Sequence, residues 1–330
     1  MKILLTLDYE LFLGEKTGSV DNCLITPMKQ LSQAVSDSGA RFTIFVDANY
    51  LYKLNELRRK YSSLESEYKK IVSHILQLRD DGHDIQLHIH PHWQFSTYDG
   101  SMWSLDHIHY KLSDLSLEEA DVAFTSSKAL LDSILGYSTT AFRAGGFSTQ
   151  PTSMLGELFH KNGITTDSSV CVGQYYNSPQ QAYDYRTAPD KDIYRFDKDI
   201  NIASNDGVFI EIPISMHTVS PLFYWRYVAT RVLKSPNMRM WGDGLAVKAT
   251  SESIVNRLTV FSKGMATIDG YKSSLLEKAY RNAKRNNRNI FCVIGHPKLA
   301  TPYSINKLRE FCYNRKRCGD EFITISQVEK

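Results

Sequence analysis

The chain has 330 residues, a formal net charge of +3 at neutral pH and 42% apolar residues. This length suits one large domain or two small ones, and it can bury a hydrophobic core without disulfide or metal cross-links. Charged residues make up 23% of the chain, close to the globular average, which excludes a wholly disordered protein. The sequence has no apolar run of the roughly 18 residues that a transmembrane helix needs.

The N-terminal residues are typical of a buried strand rather than a signal peptide. Acidic residues follow the short apolar run at the point where a cleavage site would lie. The five cysteines are scattered and include no CxxC pair, which favours a reducing compartment and argues against a thiolate zinc site. Together these features predict a cytoplasmic protein.

Short β-branched runs alternate with amphipathic segments along the whole chain. The predicted strands are residues 3–7, 42–46, 85–88, 140–143, 164–166, 208–212, 289–294 and 321–325. The predicted helices are residues 64–79, 116–135, 152–161, 252–262, 273–285 and 305–317, and Ser116 with Glu119 forms a capping box at the start of the second. This alternation predicts an α/β fold with a parallel sheet covered by helices, closed or nearly closed into a barrel, over a single domain 1–330.

A tyrosine-rich stretch, residues 175–205, interrupts this alternation. Long segments of this kind in a compact domain are usually functional or disordered. We expect an insertion near the mouth of the barrel, where tyrosine rings could stack on a sugar; the alternative is a surface excursion that covers the barrel.

Three of the ten histidines, His88, His90 and His92, fall within five residues at the end of the third predicted strand. His88 and His92 are four residues apart, which lets two imidazoles reach one ion from a strand end and the following turn. Imidazole suits zinc and related divalent ions. The pattern therefore indicates a metal site, with a solvated turn as the alternative.

The first strand ends in two carboxylates, Asp8 and Glu10, on either side of Tyr9. Side chains alternate across a strand, so both carboxylates project to one side and Tyr9 to the other. Buried carboxylates are costly unless they are solvated, paired or bound to metal. One carboxylate with two histidines is the open three-ligand set of hydrolytic zinc enzymes, whereas helix caps and surface acids are the alternative.

Two further strand ends carry candidate groups. Arg143 precedes the pair Gly145-Gly146 and Phe147, where glycines allow close backbone approach and backbone amides could serve an oxyanion; an ordinary turn is the alternative. His296 ends a buried strand, which makes it a candidate acid or base rather than a core or surface histidine.

Taken in order, these segments resemble the polysaccharide deacetylase family, carbohydrate esterase family 4 and its relatives. The resemblance runs from Leu4 to about His296, and its most specific piece is the run Gly-His-Asp-Ile-Gln-Leu-His-Ile-His-Pro-His at 82–92. The other matching segments are Thr-Leu-Asp-Tyr-Glu at 6–10, Ala-Arg-Phe-Thr-Ile-Phe-Val at 40–46, Phe-Arg-Ala-Gly-Gly at 142–146, Gly-Ile-Thr-Thr-Asp-Ser-Ser-Val at 163–170 and Ile-Gly-His at 294–296.

The resemblance implies a distorted (β/α)7-type barrel, a divalent metal that is usually zinc, and hydrolysis of an N- or O-acetyl group on a sugar. By position, His88 and His92 would be metal ligands. Asp8 matches the general base. The second acid of the family motif is replaced by Tyr9, so that Glu10 is the substitute ligand, and the roles of Asp8 and Glu10 could be exchanged.

The same resemblance assigns the remaining roles. Arg143 would hold Asp8 ionised, and His296 would be the general acid. The oxyanion would rest on the metal and a backbone amide near Gly146 and Phe147. Asp167 would orient His296 or Arg143. Gly146, Phe147, Asp167 and Tyr9 are thus the weaker candidates for contact with substrate.

Charge is polarised along the chain. Residues 272–317 hold twelve lysines and arginines against two acids, so they carry +10 and the remainder carries −7. The alternatives are solvated helix faces or an anionic partner: a lipid pyrophosphate, a membrane surface contacted peripherally, or an anionic glycan. No nucleic-acid motif accompanies the charge, so nucleic acid is not an expected partner.

Three functional hypotheses follow. The first is a metal-dependent deacetylase of an N-acetylated sugar, nucleotide- or lipid-linked, in bacterial surface polysaccharide (O-antigen, capsule or lipopolysaccharide) biosynthesis. The second is a hydrolase of a non-peptide C–N bond in a small molecule. The third is a non-catalytic relative that binds glycan.

Overall fold

The computed structural model describes residues 1–233, 235–247 and 251–328. In chain order the strands are β1 (Lys2–Tyr9), β2 (Phe42–Asp47), β3 (Asp84–Ile89), β4 (Thr97–Tyr98), β5 (Trp103–Ser104), β6 (Ala141–Ala144), β7 (Thr166–Asp167), β8 (Tyr175–Ser178), β9 (Gln181–Asp184), β10 (Tyr194–Phe196), β11 (Phe209–Glu211), β12 (Met216–Val219), β13 (Ser262–Met265), β14 (Ile290–Val293) and β15 (Glu321–Phe322). The helices are α1 (Thr26–Ser36), α2 (Ala48–Leu57), α3 (Ser62–Asp80), α4 (His92–Phe95), α5 (Leu117–Leu135), α6 (Thr152–Asn162), α7 (Pro221–Val232), α8 (Ser251–Thr259), α9 (Leu276–Arg285) and α10 (Pro302–Arg317).

The chain divides into two compact units. The first unit comprises Met1–Phe42 and Ile214–Ile323, and the second comprises Thr43–Pro213 and Thr324–Lys330. Each is an α/β unit built on parallel strands, so the predicted α/β class is confirmed.

In the first unit, β14 and β15 both pair with β1 in parallel. The side chains of Ile3, Leu4, Leu5 and Leu7 are all at most 1% exposed, because β1 is covered on both faces. Such strands appear in a sequence as continuous apolar runs. A separate antiparallel ribbon, β12 with β13, carries α7 and α8 between its strands.

In the second unit the strand order is β10-β11-β7-β6-β3-β2, parallel except for the antiparallel pair β10 and β11. The register places Asp47 beside His88 and His88 beside Arg143. The carboxyl ends of these neighbouring strands therefore bring polar side chains to one edge.

Every predicted strand has a counterpart, within a few residues at each end, and the capping box of Ser116 and Glu119 is present at the start of α5. Four helices, α1, α2, α4 and α7, lie outside the predicted ranges. The first turn of α2 follows β2 directly, capped by the Asp47 side chain, which accepts from the Tyr50 amide. Helix α7 is apolar on two faces and so lacks the one-sided period that marks an amphipathic helix.

The tyrosine-rich stretch 175–205 forms a hairpin, β8 with β9, followed by β10. Tyr183 and Tyr185 stack with ring centroids 4.9 Å apart. The Tyr185 hydroxyl is buried and lies 2.6 Å from both the Thr149 hydroxyl and the Phe147 carbonyl oxygen. Tyr185 thus packs against the turn after β6, whereas Tyr175 and Tyr176 are exposed.

Candidate active site

The end of β1 places two buried carboxylates around one imidazole. Asp8 Oδ2 lies 3.6 Å from His296 Nε2, and Glu10 Oε1 lies 3.8 Å from the same nitrogen. The Asp8 amide donates to the Gly295 carbonyl oxygen at 2.9 Å, which fixes the end of β1 beside the residue before His296. Strand alternation, which predicted Asp8 and Glu10 on one side, accounts for their convergence.

A third carboxylate, Asp269, holds His296 from the opposite side of the ring. Asp269 Oδ1 accepts from the His296 amide at 2.8 Å, and Oδ2 lies 2.9 Å from His296 Nδ1. Asp269 follows the bridge between Thr267 and Ile294, which brings it alongside the end of β14. The paired contacts set the ring so that Nδ1 donates to Asp269 and Nε2 faces Asp8 and Glu10.

The charges around His296 favour its protonated form. Burial lowers the pKa of His296, but the carboxylates of Asp269, Asp8 and Glu10 outweigh it, so the pKa lies above its ordinary value. Burial raises the pKa of Asp269, and the His296 cation with its hydrogen bonds brings it below the ordinary value. A protonated histidine with Nε2 directed at two carboxylates is suited to donate a proton.

Lys298 supplies a second cation to this carboxylate cluster. Its Nζ donates to Glu10 Oε1 at 2.8 Å and to the Leu11 carbonyl oxygen at 2.6 Å. Both side chains of the Lys298–Glu10 pair are only 7% exposed. Sequence reasoning did not single out Lys298, because nothing local to residue 298 shows that it meets the end of β1.

In the second unit, β3 ends in a pair of imidazoles that face each other. His88 Nδ1 lies 2.7 Å from the Arg143 carbonyl oxygen, and His88 Nε2 lies 3.0 Å from His90 Nε2. A carbonyl oxygen can only accept, so Nδ1 carries the hydrogen and Nε2 of the neutral ring carries a lone pair. A ring nitrogen fixed in this way by a backbone carbonyl is the usual arrangement of a metal-binding histidine.

The donor set fits a divalent cation. The first unit offers the carboxylate of Glu10, and the second unit offers the imidazoles of His88 and His90, with one ligand atom from each residue. One carboxylate with two imidazoles matches the ligand preference of zinc and its neighbours among the divalent ions. His90 is the member that the sequence prediction left out. Strand alternation could have found it, because residues 88 and 90 project to the same side.

His92, the second predicted histidine ligand, begins α4 and is fully buried. Its ring stacks on Tyr110 with centroids 5.1 Å apart and lies 5.7 Å from the His90 ring. The structure therefore places the His92 ring next to both the His90 ring and the Tyr110 ring.

Arg143 on β6 is buried and held by Ser168. Its Nε donates to the Ser168 carbonyl oxygen at 2.7 Å, and its Nη2 donates to the Ser168 hydroxyl at 3.0 Å. The guanidinium carbon lies 4.3 Å from the Phe45 ring centroid. These contacts fix the plane of the guanidinium, which an arginine needs in order to orient a carboxylate.

The turn after β6 adopts an unusual backbone conformation. Gly146 and Phe147 both have φ of +59°. A positive φ is costly for phenylalanine and persists only where the surroundings impose it, as the hydrogen bond from the Tyr185 hydroxyl to the Phe147 carbonyl oxygen does here. The turn is half-buried, and the strained backbone is typical of a functional segment.

Asp167 lies in a buried carboxylate pair with Glu211. The two residues are register partners on β7 and β11, and both are 0% exposed. Asp167 accepts from the Ser169 hydroxyl at 2.8 Å, and Glu211 accepts from the Val170 amide at 2.9 Å. Burial, and then the Asp167 charge, raise the pKa of Glu211 well above its ordinary value, which favours a proton on Glu211.

Tyr9, the remaining weak candidate for substrate contact, is 2% exposed, and burial raises its pKa. The carboxylate that the structure places on His296 is Asp269, whereas sequence reasoning offered Asp167 for that role. Asp269 was missed because it lies in an irregular segment, and the one available signal is an acid directly before a glycine in a strand-end turn.

The chain shares its architecture with solved structures of other proteins. A Mycobacterium smegmatis protein assigned as a polysaccharide deacetylase superposes with a TM-score of 0.53 and 14% identity, over 99% of this chain and 87% of that chain. The chain has the polysaccharide deacetylase fold. The Puue allantoinase superposes with a TM-score of 0.51 and 10% identity, over 98% of this chain and 87% of that one. No family model and no curated protein matches the sequence.

The deacetylase fold accounts for where the polar side chains lie. In a β/α barrel, functional residues sit at the carboxyl ends of the strands. His296 follows β14, Asp8 and Glu10 end β1, and His88 ends β3. The predicted distorted (β/α)7-type fold class is thereby confirmed.

Proposed function

We propose that the chain is a divergent member of the polysaccharide deacetylase family, a divalent-metal-dependent hydrolase that removes an acetyl group from an N-acetylated sugar. The observation that carries the proposal is the facing pair of His88 and His90, in which the tautomer of His88 is set for metal binding. Zinc is the expected ion, since it prefers one carboxylate with imidazoles.

The ligands proposed for the ion are Glu10 and His88, with His92 from the sequence motif and His90 from its approach to His88. A divalent ion held by these residues supplies Lewis-acid polarisation of the acetyl carbonyl and of the attacking water. Sites of this kind keep one coordination position open for water or substrate.

Asp8 is the proposed general base, which accepts the proton of the attacking water. Arg143 is the residue proposed to hold Asp8 ionised and oriented, as the resemblance implies, because a neighbouring cation favours the charged form of a carboxylate. The exchange of roles between Asp8 and Glu10 remains the alternative. The ion pair between Lys298 and Glu10 fixes the Glu10 carboxylate in one position, and this supports Glu10 as the metal ligand.

His296 is the proposed general acid. Its Nδ1 donates to Asp269, and its protonated Nε2 is directed toward the carboxylate cluster, from which it can donate to the departing sugar nitrogen. The backbone near Gly146 and Phe147 is the proposed oxyanion site, and its strained conformation supports that role.

The substrate is an acetylated carbohydrate, which we place in surface polysaccharide assembly as a nucleotide- or lipid-linked sugar, with the chain acting in the cytoplasm. Within the ranges that the structure describes, no helix is both long enough and apolar enough to cross a bilayer. Hydrolysis of a C–N bond in a small molecule is the second candidate, favoured by the fold shared with the Puue allantoinase.

The test combines metal analysis with acetate release. The purified chain, loaded with zinc, is assayed for acetate release on soluble N-acetylated oligosaccharides and nucleotide-linked N-acetylated sugars, and its metal content is measured by mass spectrometry. His88→Ala and His90→Ala should each lose the ion, and His92→Ala shows whether His92 is a ligand. His107→Ala, on an exposed histidine outside the proposed ligands, is the control.

Asp8→Asn should abolish turnover while the ion stays bound. Loss of the ion in that variant instead exchanges the roles of Asp8 and Glu10. A chain that binds no divalent metal and releases no acetate from any acetylated sugar contradicts the proposal, and turnover of a small cyclic amide alone favours the second candidate.

A further inference from the structure

The antiparallel ribbon β12 and β13 carries an excursion, residues 221–261, that includes α7 and α8. Among the residues that the structure describes, 22 large apolar side chains are exposed, and 12 of them lie in this excursion. They include Val232 (74%), Leu233 (77%) and Phe261 (67%). A cluster of exposed apolar side chains on one part of a protein surface marks an interaction site.

The exposed apolar residues of α7 form one face. Leu222, Trp225 and Val232 recur at helical spacing and are exposed, as is Leu233 at the helix end, whereas Phe223 is buried and stacks on Tyr271 at 5.4 Å. Helix α7 therefore has a buried apolar side and an exposed apolar side. Trp225 is 56% exposed, and its Nε1 donates to the Leu258 carbonyl oxygen of α8 at 3.0 Å, so Trp225 joins the two helices.

Cations accompany this face. The excursion contains six lysines and arginines and two acids, a net charge of +4. Arg226 and Arg231 on α7 and Arg257 on α8 are exposed. The base of the excursion adds more, because a groove of about 340 Å³ beside β12 is lined by Lys278, Arg281 and Arg285 with one acid, Glu277.

An apolar face bordered by cations matches an anionic lipid surface better than a protein partner. Stable attachment to a bilayer takes two signals, apolar insertion and attraction to anionic headgroups, and this excursion holds both. We infer that the α7–α8 excursion docks the protein on the surface of an anionic bilayer, with the exposed face of α7 in the headgroup region.

The excursion adjoins the candidate active site within the first unit. The Trp241 amide donates to the Ala300 carbonyl oxygen at 3.2 Å, and a Cβ at Gly242 would lie 2.3 Å from the Lys298 carbonyl oxygen. Lys298 in turn pairs with Glu10. A docked excursion would present the site to a sugar carried on a lipid, and this last step rests on the proposed deacetylase function.

Flotation with vesicles tests the docking directly. The full chain is mixed with vesicles of phosphatidylcholine alone, or of phosphatidylcholine with about one part in three of phosphatidylglycerol. We expect binding to the anionic vesicles, much weaker binding to the neutral ones, and release as the salt rises from about 0.1 M to about 1 M. No binding to anionic vesicles would overturn the inference.

Paired variants locate the surface. Leu222→Ser with Val232→Ser should weaken vesicle binding at least about tenfold. Ile108→Ser with Ile202→Ser removes side chains that are 71% and 63% exposed elsewhere, and this control should bind as the wild type does. Equal loss in both pairs, or no loss in the first, would overturn the assignment to α7.

Two further measurements separate the alternatives. A dimer in sedimentation that dissociates in the Leu222→Ser, Val232→Ser variant, without vesicle binding by the wild type, would show that a second copy covers the face and would overturn the inference. The same variant should release acetate from a soluble acetylated sugar at the wild-type rate. If vesicle binding holds while no acetylated sugar is turned over, the docking stands and the proposed function fails.

Discussion

Asp269 is the residue whose replacement tests the proposed acid most sharply. Asp269→Asn keeps the size of the side chain and an acceptor for the His296 amide, but it removes the carboxylate that accepts from Nδ1 at 2.9 Å. A hydrogen bond to a charged group contributes about 1.5–3 kcal/mol. If that interaction acts in the transition state, where His296 must be protonated, its loss corresponds to about 10- to 150-fold in kcat.

The assay is acetate release measured as a function of pH. The raised pKa of His296 keeps the proton on the ring at higher pH, so activity that needs this proton falls as pH rises through that pKa. Asp269→Asn removes a carboxylate that raises the pKa, so the basic limb of the profile should move to lower pH. Bound metal should be unchanged.

Asp206→Asn is the matched control, because Asp206 is exposed on a loop of the other unit. An Asp269→Asn variant with the wild-type kcat and an unmoved basic limb would refute the role of His296 as acid. A variant that loses its metal would show instead that Asp269 supports the ligands.

Three further outcomes concern stability. Lys298→Met removes the cation from a buried ion pair and should lower the free energy of unfolding by about 3 kcal/mol in urea, with divalent metal restoring part of it. Ser116→Ala removes the N-cap of α5 and should cost about 1 kcal/mol in the same assay, whereas an equal stability would contradict the capping role. The pKa of Glu211 is raised in the folded chain, so the protonated side chain stabilises the fold at low pH. That contribution is lost as pH rises through the folded pKa. Glu211→Gln should therefore gain stability over the wild type as pH rises from about 4. A difference between Glu211→Gln and wild type that is the same at every pH would contradict a protonated Glu211.

The parts of the site that could be predicted from sequence are those set by local periodicity. Asp8 and Glu10 face one way because side chains alternate along β1, and the structure places both against His296. The same rule applied to β3 selects His88 with His90, whereas the four-residue spacing rule selects His88 with His92. The roles of these ligands stay predictions.

The fold class followed from an equally local signal. Runs of apolar residues such as Ile3–Leu7 recur between amphipathic segments, and strands covered on both faces produce that pattern. Helix α7 escaped prediction because its exposed face is apolar too, which removes the contrast between faces on which a helical period depends.

The sequence by itself determined the alternation of strands and helices and the residue types at the strand ends, because both depend on neighbours a few positions apart. Only the tertiary structure decided which distant groups meet. Asp269 holds His296 from 27 residues away, and Lys298 reaches Glu10 from 288 residues away. Such pairs form because parallel strands distant in the chain end at the same edge of a sheet, and no local pattern records which ones are neighbours.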